Sequence, residues 1–150
     1  MLKHLFITLF IITPFISKAQ TLTISDLIKL TNDSFSEANQ YLTNEQKYKC
    51  TSTKTIYGQT ISQFIRNDEF IIKNQWKDEN RTIPGLHYSF KSKAVEDSLI
   101  REIKDLSFKL KEDYKDNNKH VLLYENDQYT ISIYTFIYKK SSVELEIHGK

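Results

Sequence analysis

The sequence contains little cysteine, glycine, proline or arginine, and each shortage limits what the protein can be. Its single cysteine, Cys50, excludes an internal disulfide, so the fold must be stabilised by packing. Three glycines and two prolines among 150 residues argue against long flexible loops and linkers. Arginine, the side chain that favours bidentate phosphate contacts, occurs only at positions 66, 81 and 101. This scarcity argues against a nucleic-acid partner.

The N-terminal segment has the three parts of a secretory signal peptide. Lys3 gives a basic start, residues 5–16 form a mostly apolar run, and residues 17–19 read Ser-Lys-Ala, a pattern that signal peptidase accepts. A helix over that run would reach only about 18 Å, whereas the hydrocarbon core of a bilayer is about 30 Å thick. We therefore predict a signal peptide over residues 1–19 and export to the periplasm or the exterior. An uncleaved anchor or a buried N-terminal helix is the alternative.

Cleavage at this point would change the charge of the protein. It would remove Lys3 and Lys18, so that 21 basic residues become 19 and equal the 19 acidic residues. The working chain would then carry no net charge and no permanent membrane anchor. Its residues, 20–150, are numerous enough for one domain with an ordinary hydrophobic core.

Helix signals occur in two regions of the predicted domain. Thr23 and Ser34 each precede a carboxylate by three residues, which predicts two capping boxes and two short helices. A longer helix is predicted over Lys93–Leu106, because apolar residues recur there every three or four positions. The apolar positions of this helix are Val95, Leu99, Ile103 and Leu106.

Most of the remaining sequence is typical of antiparallel β-strands. Strands are predicted over residues 60–66, 69–76, 85–91, 120–125, 128–138 and 142–148. Asn67-Asp68 and Asn126-Asp127 separate neighbouring strands and tolerate the positive φ that tight hairpin turns require. The predicted fold is therefore α+β, with helices packed on one face of an antiparallel β-sheet.

The order of predicted elements is the same in residues 20–91 and 92–150. Each part has a helical region followed by a β-meander, and a shift of 59 residues places Ile72 on Ile131. Only three of the sixteen positions from Ile61 to Trp76 are then identical. Two readings stay open, namely two tandem helix–meander units or hairpins that match because they use the same few β-forming residues.

Two resemblances follow from these features. The segment ending in Ala19-Gln20, the composition rich in Lys, Asn and Ile, and the helix-then-meander layout resemble small exported proteins of Bacteroidota-type Gram-negative bacteria. The tandem layout is similar in outline to β-lactamase inhibitor proteins, although this chain shares no motif with them and has no cysteine pair. The second likeness concerns the fold alone, and neither resemblance implies catalytic residues.

The sequence lacks the motifs of several common enzyme classes. It contains no G-x-S-x-G elbow, no H-E-x-x-H, no P-loop and no Gly-rich dinucleotide turn. His87, His120 and His148 stand on separate predicted strands, and nothing in their spacing supports a zinc site. We predict no catalytic residue, no metal and no cofactor. A small envelope hydrolase or metal-binding protein that uses His87 and His120 is the alternative.

An aromatic row is the strongest indication of function. Alternation along residues 128–138 places Tyr134, Phe136 and Tyr138 on one face of the strand, and Tyr124 is expected to join them from the neighbouring strand. Cross-strand packing, or a covering loop, would explain such a row structurally. If exposed, the row would be a recognition surface, because tyrosine supplies rigid, amphipathic contact area.

The sequence therefore favours a non-enzymatic binding module that recognises another protein through its aromatic sheet face. A periplasmic inhibitor or an immunity protein is the most concrete form of this hypothesis. A component of an envelope assembly, which binds its own kind through an edge strand, is a further alternative.

Overall fold

The structure is a computed structural model that describes residues 21–77, 81–137 and 142–150. It has the predicted α+β fold, with helices on one face of an antiparallel β-sheet. The helices are α1 (Ile24–Asn32), α2 (Phe35–Gln40), which continues into a π-helical turn (Tyr41–Glu45), and α3 (Lys93–Asp105). The strands are β1 (Lys49–Ile56), β2 (Gln59–Arg66), β3 (Glu69–Lys77), β4 (Thr82–Phe90), β5 (Lys109–Lys115), β6 (Lys119–Glu125), β7 (Tyr129–Phe136) and β8 (Val143–Gly149).

The helices begin where their capping residues predict. The Thr23 side chain accepts a hydrogen bond from the backbone N–H of Asp26 at 3.1 Å, and the Asp26 carboxylate accepts one from the backbone N–H of Thr23 at 2.9 Å. Ser34 starts α2 through the same reciprocal arrangement. The predicted apolar stripe of α3 is buried at Leu99 and Ile103 but not at Leu106, which is 42% exposed because the helix ends one residue earlier. No helix in the described ranges is long and apolar enough to span a membrane.

All eight strands form one sheet in the order β1-β2-β3-β4-β8-β7-β6-β5. Strands β1–β4 make one four-stranded meander and β5–β8 make another, and every neighbouring pair is antiparallel. The last strands of the two meanders, β4 and β8, pair with each other and join them. The C-terminal strands of the two meanders, β4 and β8, are thus at the centre of the sheet. Their first strands, β1 and β5, form its two edges.

The two meanders correspond with a shift of 60 residues in their central hairpins. Phe64 pairs with Ile71 in β2–β3, and Tyr124 pairs with Ile131 in β6–β7. All four side chains are buried on the helix side of the sheet. A shift of 59 would instead superpose Ile72 on Ile131, whose side chains point to opposite faces, because side-chain direction alternates along a strand.

The core lies between the helices and one face of the sheet. Leu27 and Leu30 of α1 and Leu99 and Ile103 of α3 are buried against apolar side chains of the central strands. Those side chains are Leu86, Tyr88 and Phe90 of β4, Ile131 and Ile133 of β7, and Val143, Leu145 and Ile147 of β8. The described helices therefore cover one face of the sheet and leave the other without a helix.

A lysine is buried inside this core layer. Lys73 of β3 is only 2% exposed, and its ammonium donates hydrogen bonds to the backbone carbonyls of Leu30 and Thr31 at 2.6 and 2.9 Å. These carbonyls belong to the last turn of α1, whose orphan acceptors need donors. Burial lowers the pKa of Lys73 to about 8, while the charges of Asp33 and Glu37 act in the opposite direction.

We predict that Lys73 makes the free energy of unfolding depend on pH. Because its pKa is lower in the folded state, the unfolded chain binds more protons between pH 8 and 10.5, and stability rises with pH in that window by up to about 3 kcal/mol. The Lys73→Met variant should not show this rise when its free energy of unfolding in urea is measured at pH 7.5 and at pH 10. Lys77→Met, an exposed change on the same strand, is the control and should keep the wild-type pH slope. Equal slopes in all three proteins would contradict the assignment.

Candidate functional site

The face of the sheet opposite the helices, called here the helix-free face, is the candidate functional site. Its central patch comprises the outward side chains of the four middle strands β3, β4, β8 and β7. These are Phe70, Ile72, Asn74, Trp76, Ile83, Gly85, His87, Ser89, Glu144, Glu146, His148, Thr130, Ser132, Tyr134 and Phe136. The patch combines aromatic rings, histidines and carboxylates on neighbouring strands.

The predicted aromatic row is divided between the two faces of the sheet. Tyr134 and Phe136 lie on the helix-free face and are half-buried. The expectation that Tyr124 joins them is wrong, because Tyr124 pairs with Ile131 on the helix side and is 2% exposed. Tyr138 lies outside the described residues. The loop expected to cover the row, 77–84, also falls partly outside them.

A carboxylate at the centre of the patch connects three side chains from three strands. Glu146 of β8 lies directly opposite His87 of β4, with 3.5 Å between Oε1 and Nδ1. Its Oε2 lies 3.7 Å from Nε2 of His148 and accepts a hydrogen bond from the Tyr134 hydroxyl at 3.5 Å. The imidazoles of His148 and then His87 hold the pKa of the Glu146 carboxyl well below its usual range. Glu146 is therefore an anion across the physiological pH range.

A glycine lets two rings meet beside this carboxylate. The rings of Trp76 and His148 stack with their centroids 6.1 Å apart, although β4 runs between their strands. At that point β4 contributes Gly85, and a Cβ there would lie 2.1 Å from Oδ1 of Asn74 and 3.3 Å from Nδ1 of His148. The side chains of Asn74 and His148 thus occupy the space that the Cβ of any other residue at position 85 would need.

Trp76 and His148 were missed as site residues by the sequence analysis. Trp76 belongs to the first meander and the aromatic row to the second, and only the β4–β8 pairing brings them onto one surface. The signal available in the sequence was the alternation of Glu144, Glu146 and His148 with buried residues, which placed all three on one strand face.

The histidines expected in the alternative enzyme or metal site do not come together. His87 lies on the helix-free face, whereas His120 lies at the β5–β6 edge, with its Nε2 2.8 Å from Oδ1 of Asp113. Within the described ranges, no group of three His, Cys, Asp or Glu side chains is arranged to hold a metal ion. The geometry therefore gives this alternative no support.

An open pocket of about 570 Å³ lies between the end of α3 and the β6–β7 turn, and its lining residue Glu125 pairs with Thr130 at the edge of the patch. Lys111 and Lys150 both line it, and both pair with Glu125. The other lining residues are Leu106, Ser107, Lys109, Asn126, Asp127 and Gln128. The described lining of the pocket therefore has no aromatic side chain, whereas the helix-free face has several.

Comparison with protein-family models, with curated proteins and with solved structures finds no match to this chain. The candidate site accordingly rests on the chain's own geometry. That geometry is a rigid sheet surface with aromatic contact area around a fixed anion.

We predict that the same substitution will have different effects on the two faces. Tyr124→Ser should lower the free energy of unfolding by about 3 kcal/mol, because it removes a buried ring and leaves a cavity. Tyr134→Ser, on the helix-free face, should cost no more than about 1 kcal/mol. Chemical unfolding of both variants measures the difference. Equal losses would contradict the assignment of the two rings to different faces.

Proposed function

We propose that this chain is an exported, non-enzymatic binding module that recognises another protein through the helix-free face. The observation that carries the proposal is the central patch, where Trp76, Tyr134 and Phe136 share one surface with two histidines. Aromatic side chains dominate the energetics of protein interfaces because they bury much area at little entropic cost. Their position on a sheet rather than on loops keeps that surface rigid before binding.

The dimensions of the face suit a protein better than a small molecule. Neighbouring strands lie about 4.8 Å apart, so eight strands span about 34 Å. The outward positions from Phe70 to Trp76 extend about 20 Å along β3. A surface of roughly 700 Å² approaches the 800 Å² that each partner contributes to a standard interface. Small molecules, in contrast, bind in concave pockets that enclose most of their surface.

The polar centre of the patch supplies specificity. Glu146 is held from three sides by His87, His148 and Tyr134, so its carboxylate has a fixed position before a partner arrives. A preordered charge surrounded by aromatic area is the arrangement found at interface centres, where polar contacts select the partner and apolar burial supplies affinity.

Within this class, an inhibitor or immunity protein of the bacterial envelope is the form we propose. Such a protein requires only a stable scaffold and a surface complementary to its partner, and the proposal is supported by the eight-stranded sheet and its central patch. The export part of the proposal rests on the signal-peptide pattern of residues 1–19.

The test begins with the full chain produced in a Gram-negative host. Recovery from the envelope fraction of a protein that starts at Gln20 would support export, and recovery from the cytoplasm with Met1 retained would contradict it. The purified protein then serves as bait for envelope proteins of its source cell and of neighbouring strains, and the captured partner is purified for calorimetry.

Calorimetric titration of that partner decides whether the helix-free face carries the interaction. Tyr134→Ala should weaken binding at least about 30-fold, the loss typical of an interface hot spot. Tyr57→Ala is the matched control, because Tyr57 is fully exposed at the tip of the β1–β2 hairpin, and it should change affinity less than about twofold. A partner that tolerates Tyr134→Ala but not Tyr57→Ala would refute the proposed face.

A further inference from the structure

The central patch has a charge that differs from that of the chain as a whole. The described outward side chains of its four strands include two carboxylates, Glu144 and Glu146, and neither lysine nor arginine, but the ammonium of Lys119 reaches the patch from the neighbouring strand β6. The two carboxylates and this ammonium together give a formal charge of −1 (−2 + 1). Residues 20–150 as a whole, in contrast, have 19 basic and 19 acidic residues and therefore no net charge. An acidic centre on an otherwise balanced protein favours a partner that presents a cation.

The two carboxylates differ in their surroundings. Glu146 is engaged by three side chains, whereas Glu144 makes no hydrogen bond or ion pair with any described residue. Glu144 is half-buried and lies between Ser89 and Tyr134 in the same row across the sheet. A partly desolvated carboxylate without a partner gains more from an incoming cation than one that is already paired.

The ring of Tyr134, beside Glu144, already contacts one cation of this chain. The ammonium of Lys119 lies 4.8 Å from the centroid of the Tyr134 ring, within the range of a cation–π contact. Tyr134 also pairs directly with Glu144 across β7 and β8. Directly opposite side chains in a sheet lie about 5 Å apart. One cationic group can therefore contact the carboxylate and the ring together.

We infer that the partner anchors itself on the helix-free face with an arginine side chain bound by Glu144 and Tyr134. This inference rests on the proposed function and specifies the chemistry of the partner. Arginine fits better than lysine because its planar guanidinium can donate two hydrogen bonds to one carboxylate while stacking on an aromatic ring. It also loses less hydration on burial than an ammonium group does.

The test uses short peptides in place of the unidentified partner. Acetylated and amidated Gly-Arg-Gly is titrated into the full-length chain, and backbone NMR shifts of Tyr134 and Glu144 are followed up to about 50 mM peptide. The arginine peptide should give saturable shifts at these residues, and the lysine peptide weaker ones. The citrulline peptide, which has the same shape without the charge, should give none.

Matched variants assign the contact to Glu144. Glu144→Gln should weaken binding of the arginine peptide at least about tenfold. Glu112→Gln makes the same change on β5 at the edge of the helix-free face and should alter binding less than about twofold. Equal binding of the citrulline peptide, equal effects of the two variants, or no shift at all would overturn the inference.

The outcomes also separate this inference from the proposed function. If the arginine peptide fails while Tyr134→Ala still weakens the captured partner, the face is an interface and only the arginine anchor is wrong. If the arginine peptide does not shift the Tyr134 signal and Tyr134→Ala does not weaken binding of the captured partner, both the anchor and the proposed function are wrong.

Discussion

The pairing of β4 with β8 is the interaction on which the rest of the structure depends. Six residue pairs, from Gly85 with His148 to Phe90 with Val143, join the two meanders into one eight-stranded sheet. Without them each meander would expose an edge strand of mainly apolar inward side chains. With them, Leu86 and Tyr88 become neighbours of Leu145 and Ile147, and one continuous core forms beneath α1 and α3. Non-local pairing of this kind brings apolar side chains of both meanders into one core, and their burial stabilises the fold.

The same pairing determines the other face. It places His87 against Glu146, lets Trp76 reach His148 across Gly85, and brings Tyr134 within reach of the same carboxylate. Inward residues of each strand build the core while their outward neighbours build the central patch. The core and the central patch are therefore built from alternate residues of the same strands. The patch can carry charged side chains because they point away from the core.

Local features of the fold could be predicted from the sequence, and non-local ones could not. Thr23 and Ser34 identified helix starts because capping acts over three residues, and the strands were found through their composition. The face of Tyr124 was not predictable, because β6 has apolar side chains on both sides and shows no alternation. The meeting of Trp76 with His148 was missed because it requires the β4–β8 pairing, for which the chain has no local signal. The burial of Lys73 was not predicted either, because it depends on hydrogen bonds to the last turn of α1, which is distant in the sequence.

The most direct test of this account is a measurement of the strand order in solution. NMR spectra of the labelled chain should show cross-strand NOEs between backbone protons of β4 and β8, with His87 opposite Glu146 and Tyr88 opposite Leu145. These contacts would establish the continuous sheet and hence the helix-free face. NOEs that pair β4 with β1, closing each meander on itself, would contradict both the fold and the binding surface derived from it.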